Sequence, residues 1–494
     1  MISKNTSFKK FIQNIKGKKI IIWGLGLNQG GLEAAKYFAR TGAKVVVVDL
    51  KKSRELTKSI AELKKFSNIK FIFGRQNEFI FSGTDLIIKN PAIPWDLPLT
   101  KKLLKKGYQI ETDITLFFRF FRGKIIGVTG SKGKTTTATL ISQFLEQGSK
   151  NVLLGGNIRV SLFSFLKGVY LNDRKKIAVL ELSSFQLEDL DFIKRSPYVA
   201  VVTNILRDHL NRYGNYKKYI TAKKNICLFQ GKGDNLVLNR DDKKLKEFTG
   251  CSRVKTLWFS PVLSSPGERS ETRGSRNTKA KYLDSRLRGN DKRAVGTIIK
   301  NPVFLSKNNQ ANLAAALAVA KIFKVKQSIV NKVANNFKGV PYRMEKIAVI
   351  KNLPGRQAGI TFYNDTTATI PDAAIGGINT IAAQGKSKII ILISGGADKN
   401  LKFEKFAKII AKKVKKIIFL PGTATPLIEK ALTRHAPHVP RDKASSMDKA
   451  VKTAYKSAES GDTILLSPGC ASFGLFKNEF DRGDQFNEAV KKLE

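Results

Sequence analysis

The sequence is poor in the residues that hold small secreted domains or metal-binding modules together. Its 494 residues include only three cysteines, three histidines, three tryptophans and three methionines. The cysteines, Cys227, Cys251 and Cys470, are too few and too far apart for a disulfide framework or a Cys-x-x-Cys metal site. This pattern is typical of a reducing compartment, and we expect a cytoplasmic location.

Long apolar runs are also missing. None approaches the ~18 residues of a membrane span, and the longest, such as KIIILI around Ile389, are typical of buried strands. The N-terminal stretch MISKNTSFKKFIQNIKGKK is basic and has no apolar signal core before Ile20. We therefore expect no membrane segment.

Acidic residues are scarce, with 39 against 89 basic ones and a formal net charge of +50. The lysines are spread along nearly the whole chain, many on the polar side of helical patterns such as KKFIQNIKGKK and FEKFAKIIAKKVKK. No basic zipper or paired zinc ligands accompany them. The charge therefore favours a basic surface that attracts anionic nucleotides over a dedicated nucleic-acid-binding module.

Short β-branched runs alternate with helical stretches from end to end, which predicts an α/β protein with largely parallel sheets. The length predicts several domains. We place them at 1–122, 123–340 and 341–494. A segment at about 261–294 is rich in Ser, Gly and Arg without apolar periodicity, and we predict an exposed, disordered insert there.

The motif GVTGSKGKTTT, Gly127 to Thr137, lies between a predicted strand and a predicted helix. Backbone N–H groups and the helix N-terminus can surround phosphates there, Lys134 can reach the terminal phosphates, and the Thr135 hydroxyl can bind Mg²⁺. Val128 replaces the first glycine of the strict spacing, which leaves the shorter form T-G-S-x-G-K-T. The predicted ATP-binding residues here are Gly130, Ser131, Lys132, Gly133, Lys134, Thr135 and Thr136.

Three further segments downstream contain candidate functional residues. The apolar run IAVLE ends at Glu181, a carboxylate that is costly to bury unless a cation such as Mg²⁺ or an ordinary ion-pair partner lies beside it. The loop after VAVVT offers Asp208 and His209, where His209 is either a metal ligand or a structural histidine. The stretch YITAKKN predicts Lys223 on the first turns of a helix.

The N-terminal block contains IIIWGLGLNQGG, in which Gly24, Gly26 and Gly30 follow a strand, and Asp49 ends the next strand. This is similar to a dinucleotide fingerprint, but Gln29 occupies the third glycine position. It indicates a nucleotide diphosphate more than NAD, and a dehydrogenase would leave the phosphate loop unexplained.

The C-terminal block contains three polar loops after predicted strands: YNDTTATIPDAA, SGGADKN and SPGCASFGLFKNEFDRG. Since α/β proteins bind ligands beyond the carboxyl ends of parallel strands, we expect Asp365, Lys399 and Ser472 to reach one.

Taken in order, these motifs resemble the Mur ligases, and among them the ligase that adds glutamate to UDP-N-acetylmuramoyl-L-alanine in peptidoglycan synthesis. The resemblance covers essentially the whole chain except the Arg-rich insert. It implies a Rossmann-like N-terminal domain for the UDP-substrate, a central P-loop ATPase domain and a Rossmann-like C-terminal domain for the amino acid. It also implies an acyl phosphate, a tetrahedral intermediate and closure of the domains. We expect a monomer that acts on small molecules.

The resemblance also assigns roles. For the UDP-substrate it implies Leu27, Asn28, Asp49, Leu50, Asn90 and Asn157. For ATP it adds Asn309, Asn312, Arg343 and Asp365 to the phosphate loop. It implies two Mg²⁺ ions held by Thr135, Glu181, His209 and a carbamylated Lys223, and a catalytic set of Lys134, Glu181, His209 and Lys223. For glutamate it implies Thr369, Lys399, Ser472 and Phe480.

Two departures from the family pattern lie at the amino-acid end. Thr367 of NDTTAT stands where a lysine is common, and Glu479 occupies the slot of the expected phenylalanine, with Phe480 next. D-glutamate is the favoured amino acid. A related ligase for L-glutamate or another amino acid, and a P-loop nucleic-acid-binding ATPase, are the alternatives.

Overall fold

The structure is a computed structural model that describes residues 6–26, 30–158, 160–251, 254–260, 263–264, 282–283, 297–299, 301–305, 307–351, 359–383 and 389–493. The predicted UDP contacts Leu27 and Asn28 lie outside the described residues, as does most of the predicted insert at 261–294. Within these ranges no helix is long and apolar enough to cross a membrane.

The first unit is a five-stranded parallel sheet in the order β3-β2-β1-β4-β5. The first strand is buried along most of its length, as expected for a strand with helices on both faces. The strands are β1 (Lys19–Trp23), β2 (Lys44–Asp49), β3 (Ile69–Phe73), β4 (Leu86–Lys89) and β5 (Ile110–Glu111). The helices are α1 (Phe8–Ile15), α2 (Gly30–Arg40), α3 (Thr57–Leu63), α4 (Pro98–Lys105) and α5 (Asp113–Phe120).

The second unit is a six-stranded parallel sheet in the order β11-β10-β9-β6-β8-β7. Its strands are β6 (Lys124–Thr129), β7 (Val152–Gly156), β8 (Ile177–Glu181), β9 (Val199–Val202), β10 (Asn235–Asn239) and β11 (Lys255–Phe259). Its helices are α6 (Lys134–Gln147), α7 (Gly168–Leu171), α8 (Ser184–Ile193), α9 (Leu210–Tyr213), α10 (Tyr216–Lys224), α11 (Lys307–Ile322) and α12 (Gln327–Asn336). A small antiparallel sheet is formed by β12 (Leu263–Ser264), β13 (Tyr282–Leu283) and β14 (Thr297–Ile298).

The third unit is a six-stranded sheet in the order β15-β16-β20-β17-β18-β19, parallel except for the antiparallel edge strand β15. Its strands are β15 (Glu345–Ile350), β16 (Ile360–Asn364), β17 (Ile390–Ser394), β18 (Val414–Phe419), β19 (Arg441–Lys443) and β20 (Thr463–Leu466). Its helices are α13 (Pro371–Ala382), α14 (Glu404–Lys413), α15 (Thr425–His435), α16 (Met447–Lys456) and α17 (Glu479–Lys491).

The predicted α/β class, with three largely parallel sheets in tandem, is confirmed. Two local predictions are wrong. Lys223 lies in the last turn of α10, because Asn215 caps the helix at its start by accepting a hydrogen bond from the N–H of Lys218. The helical pattern FEKFAKIIAKKVKK ends early, because the chain passes directly from α14 into β18 at Val414.

The apolar cores distinguish the third unit from the first two. One continuous hydrophobic cluster contains residues of both the first and the second sheet, from Phe11 to Phe248. Tyr37 of α2 adds a hydrogen bond to the carbonyl oxygen of Leu166 in the second unit. The two clusters of the third unit contain only residues of that unit. Hydrogen bonds and an ion pair join this unit to the second.

Candidate functional site

A cavity of about 900 Å³ lies between the three units. The carboxyl ends of several parallel strands face it, which is where α/β sheets bind ligands. The predicted site residues that line it are Asn90, Gly130, Ser131, Lys132, Lys134, Asn157, Glu181, His209, Lys223, Arg343, Thr369, Lys399, Ser472 and Phe480. Most of the predicted site therefore converges on one space.

The phosphate loop connects β6 to α6 and requires glycine at two positions. Gly130 has a φ of 153°, and a Cβ there would lie 1.9 Å from the Thr203 Oγ1. Gly133, the N-cap of α6, has a φ of 83°, and a Cβ there would lie 2.0 Å from the Asn312 Oδ1. No other residue fits these positions without moving the neighbouring side chains. The Asn312 side chain therefore packs against the phosphate loop at Gly133.

Two backbone N–H groups of the loop already have partners. The N–H of Ser131 donates to the carbonyl oxygen of Asn204 over 3.0 Å, and that of Lys132 donates to the Asn204 Oδ1 over 2.9 Å. The Ser131 hydroxyl lies 2.9 Å from the Tyr219 hydroxyl. The backbone groups that can turn to a phosphate are thus those at the start of α6, from Gly133 onward.

Asn204 was not identified from the sequence. It lies two residues after β9, in VAVVTN, and its position beyond the carboxyl end of a parallel strand was the available signal.

Glu181 ends β8 beside the loop. Its Oε2 accepts a hydrogen bond from the Thr135 hydroxyl over 2.5 Å, and its Oε1 accepts one from the Asn157 Nδ2 over 2.9 Å. The residue is 1% exposed. Among the described residues no lysine or arginine forms an ion pair with it, so the carboxylate–hydroxyl pair offers two hard oxygen ligands to a cation.

Lys223 is buried behind the loop, where its Nζ donates to the Thr129 Oγ1 over 3.2 Å and to the carbonyl oxygen of Gly130 over 3.1 Å. Burial, together with the nearby Lys134 ammonium, holds the pKa of Lys223 well below its usual range. The lowered pKa favours the neutral amine, which is the form that adds carbon dioxide. Burial lowers the pKa of Lys134 in the same way.

Asp208 and His209 lie in the loop before α9. Burial alone would raise the pKa of Asp208, but the positive charge of Lys399, with smaller contributions from neighbouring basic groups, outweighs it and holds that pKa below its usual range. Lys399 of the third unit lies 3.6 Å from the Asp208 Oδ1. Burial lowers the pKa of His209 to about 4, so its ring is neutral at pH 7 and can act as a ligand.

Arg343 precedes the third sheet and reaches the phosphate loop, where its guanidinium donates to the Thr135 hydroxyl over 2.7 Å. Asp365 follows β16 and lies behind the cavity wall, where its carboxylate accepts a hydrogen bond from the Ser467 hydroxyl over 2.8 Å. Burial raises the pKa of Asp365 to about 6. Asp365 and Arg343 thus lie near the loop, but only Arg343 lines the cavity.

In the first unit, Asp49 accepts hydrogen bonds from the N–H groups of Gly26 and Lys51 over 3.1 and 2.9 Å. Leu50 is 63% exposed. The Asn90 Nδ2 donates to the carbonyl oxygen of Gly24 over 3.3 Å.

The close contact between α2 and β1 is made by Gly31, where a Cβ would lie 2.4 Å from the Gly24 carbonyl oxygen. At the neighbouring Gly30 a Cβ would meet no described atom within 4 Å beyond its chain neighbours.

Some predicted residues contact the loop or the fold without lining the cavity. Asn309 donates to the carbonyl oxygen of Val303 and accepts a hydrogen bond from Asn312, which lies beneath the loop. Residues outside the cavity lining are Asp49, Leu50, Gly133, Thr135, Thr136, Asn309, Asn312 and Asp365.

Three family models match the chain in consecutive segments. They are the Mur ligase MurD-like N-terminal domain over residues 18–112, the Mur ligase middle domain over 128–320, and the Mur ligase glutamate ligase domain over 343–470. The first and third segments contain the first and third large sheets, and the middle segment contains the second sheet apart from the start of β6.

Relatives and solved structures agree with these models. The UDP-N-acetylmuramoylalanine--D-glutamate ligase of Roseiflexus sp. is 34% identical over 97% of this chain and 99% of its own. The ligase of the same name from Acetivibrio thermocellus is 34% identical, and the match covers 99% of this chain and 100% of the relative.

Two solved structures share the fold. The UDP-N-acetylmuramate-alanine ligase of Thermotoga maritima has a TM-score of 0.59 at 20% identity, covering 97% of this chain and 100% of its own. The MurF ligase of the same organism, in complex with ADP, has a TM-score of 0.56 at 16% identity. The match covers 91% of this chain and 96% of the MurF chain. The three family models and the full-length relatives together show that the chain belongs to the Mur ligase family.

Proposed function

We propose that this chain is an ATP-dependent ligase that adds D-glutamate to UDP-N-acetylmuramoyl-L-alanine in peptidoglycan synthesis. One observation carries the proposal: the phosphate loop, the buried Glu181 and the basic residues Arg343 and Lys399 face one another across a single cavity. The names of the full-length relatives favour D-glutamate over L-glutamate.

ATP is assigned to the phosphate loop, Gly130 to Thr136. The free N–H groups at the start of α6 and the Lys134 ammonium would hold the phosphates. Asn309 and Asn312 support the loop from beneath, and Arg343 and Asp365 approach it from the third unit.

The residues present fit magnesium. The Thr135 hydroxyl and the buried Glu181 carboxylate are hard oxygen ligands, His209 is neutral, and a carbamate on Lys223 would add a further anionic oxygen. No group of three or more His, Cys, Asp or Glu side chains converges within the described part of the chain, so the nucleotide phosphates would complete the coordination. When bound, Mg²⁺ offsets the negative charge of the phosphates; two ions are proposed.

The UDP-substrate is assigned to the first unit and its border with the second. Asp49 and Leu50 would contact the uracil, Leu27 and Asn28 the diphosphate, and Asn90 and Asn157 the rest of the substrate. This assignment is supported by Asn90 and Asn157, which both line the cavity.

The amino acid is assigned to the third unit. Lys399 and Ser472 would bind the glutamate carboxylates, and Thr369 and Phe480 would complete the pocket. All four line the cavity.

The proposed reaction has two steps. An oxygen of the L-alanyl carboxylate attacks the γ-phosphorus of ATP, the bond to ADP breaks, and an acyl phosphate forms. Lys134 and Arg343 stabilise the charge that accumulates there. The glutamate amine then attacks the acyl carbon, and the tetrahedral intermediate expels inorganic phosphate and loses a proton to give the amide.

We further propose domain boundaries at 122/123 and 340/341, a monomeric state and a cytoplasmic location. Each boundary falls between two sheets in the chain.

An end-point assay tests the function. The purified protein is incubated with ATP, Mg²⁺, UDP-N-acetylmuramoyl-L-alanine and either D- or L-glutamate, and ADP and the mass of the nucleotide product are measured. We expect ADP and a glutamyl product in equal amounts with D-glutamate. Product with L-glutamate alone would move the assignment to a related ligase, and ATP hydrolysis without product would reject the ligase.

A further inference from the structure

The backbone of Lys132 is held at both its N–H and its carbonyl by the residues that follow β9. Its N–H donates to the Asn204 Oδ1 over 2.9 Å. Its carbonyl oxygen accepts hydrogen bonds from the Thr203 hydroxyl over 2.6 Å and from the Asn204 Nδ2 over 2.9 Å. With these backbone groups engaged, Lys132 has only its side chain to offer to another part of the site.

That side chain crosses to the third unit. The Lys132 Nζ donates to the carbonyl oxygen of Thr367 over 3.2 Å. Thr367 is itself fixed, because its hydroxyl donates to the carbonyl oxygen of Tyr342 over 3.0 Å. Lys132 therefore joins the phosphate loop to the turn that follows β16, which runs from Asp365 to Thr369.

The same turn carries Thr369, which lines the cavity together with Lys399 and Ser472. Burial lowers the pKa of Lys132 to about 7, and this effect is opposed by the nearby Asp208 carboxylate. At neutral pH both the ammonium and the amine form of Lys132 are therefore present, and both carry an N–H that can donate to the Thr367 carbonyl.

We propose that Lys132 is a positioning residue that docks the turn 365–369 onto the phosphate loop, and so places the amino-acid pocket of the third unit against the acyl group. The inference rests on the proposed ligase function and deepens it. Arg343 to Thr135 and Lys399 to Asp208 also join these units, and those links end on side chains that are assigned to ligands or that neighbour them. Lys132 is itself part of the loop assigned to ATP, but its link differs at the far end. The link from Lys132 ends on a backbone carbonyl, so its task is to hold the turn.

Lys132→Met tests this, because methionine keeps much of the length of the side chain and removes the donor. The matched control is Lys175→Met, at an exposed lysine. We expect the KM for D-glutamate to rise about tenfold and kcat to fall, from loss of the hydrogen bond that Lys132 donates to the Thr367 carbonyl. The Kd of ATP, measured by titration calorimetry, should stay within about twofold, because the backbone clamp of the loop remains.

Lys132→Arg keeps a cationic donor and should recover a large part of the glutamate KM. It also provides a readout if the methionine variant does not fold. An ATP Kd that weakens as much as the glutamate KM would overturn the proposal, because Lys132 would then act on the nucleotide. An unchanged glutamate KM in Lys132→Met would overturn it as well. If the wild-type protein makes no glutamyl product, it is the proposed function that fails.

Discussion

At the scale of single residues, Glu181 is the carboxylate on which the site depends most. It is buried, and it shares a short hydrogen bond with the Thr135 hydroxyl. Replacing it with glutamine keeps the shape and removes an anionic ligand, so we predict that Glu181→Gln lowers kcat by a factor on the order of 100 or more. Initial rates of ADP release measure this.

Glu146→Gln, on the exposed side of α6, is the control for that substitution. Its rate should equal that of the wild-type protein, and both variants should keep the wild-type melting temperature. A Glu181→Gln enzyme with normal kcat would exclude the carboxylate from the metal site.

Asp365 gives a prediction about pH. Its pKa is raised by burial to about 6, so the protonated form stabilises the folded protein. That stabilisation is fully present below the unfolded-state pKa of about 4 and is lost as the pH rises through about 6. The free energy of unfolding of the wild type relative to Asp365→Asn should therefore fall by up to about 3 kcal/mol between pH 4 and pH 8.

Urea denaturation of both proteins across this range measures the difference, with the exposed Asp372→Asn as the control. A difference between wild type and Asp365→Asn that is independent of pH would show that the Asp365 carboxyl titrates as it does in the unfolded chain.

The sequence identified many residues of the cavity because their types and positions after strands carry a signal. Lys134, Glu181 and Lys399 are examples, and all three line the cavity. Asn204 was missed although it lies after a strand-like run, and its hydrogen bonds to the phosphate loop could not be predicted, nor could the contact from Lys132 to Thr367. They depend on how the ends of two separate segments meet, and neither apolar periodicity nor motif spacing encodes that.

At the scale of elements, the turn from β6 into α6 depends on glycine. Gly133 combines a positive φ with a position where a Cβ would overlap the Asn312 side chain. We predict that Gly133→Ala lowers the free energy of unfolding by about 1–3 kcal/mol and weakens ATP binding, because the loop must shift. Thermal or urea unfolding and titration calorimetry with ATP test both effects.

Gly107→Ala is the control for Gly133→Ala. It separates the cost of a positive φ from the cost of the overlap between a Cβ and the Asn312 side chain. Gly107 has a φ of 80°, and a Cβ there would meet no described atom within 4 Å beyond its chain neighbours. The substitution should show the cost of the backbone conformation alone and leave ATP affinity unchanged. Equal effects of the two substitutions on ATP affinity would contradict the role of the Asn312 contact.

Elements were predicted well where one pattern dominates. The apolar β-branched runs that became β1, β6, β8 and β17 are buried strands, as expected from their composition. One of the two errors occurs where a helical pattern continues past the end of its helix. The lysine-rich stretch at the end of α14 fits a helix by periodicity, yet Val414 begins a strand because pairing with β17 competes with helix continuation.

At the scale of the whole molecule, the three units are joined in different ways. The first two share an apolar core, whereas the third is joined to the second by hydrogen bonds and an ion pair. Polar contacts of this kind exchange readily with water, so we predict that the third unit moves when ligands bind and the first two units remain one body.

Energy transfer between labelled cysteines tests this movement. In the first pair, cysteines replace the exposed residues Val169 and Leu427, which report on the second and third units. In the second pair, cysteines replace the exposed residues Phe79 and Val169, which report on the first and second units. Cys251, the cysteine that is not buried, is replaced by serine beforehand. ATP with UDP-N-acetylmuramoyl-L-alanine should change transfer for the first pair only. A change in the second pair would show that the shared core does not hold the first two units together.

The order and number of units could be predicted from the sequence, since each contains its own strand–glycine–helix turn. The arrangement that brings Lys399 within 3.6 Å of Asp208 could not, because it depends on contacts between residues almost two hundred positions apart.

Oxygen transfer is the most direct test of the proposed chemistry. UDP-N-acetylmuramoyl-L-alanine labelled with ¹⁸O in the alanyl carboxylate is converted with ATP and D-glutamate, and the phosphate released is examined by mass spectrometry. If the carboxylate attacks the γ-phosphorus, each turnover transfers one carboxylate oxygen, and the phosphate will contain one ¹⁸O. Unlabelled phosphate formed alongside the amide product would contradict an acyl phosphate at this site.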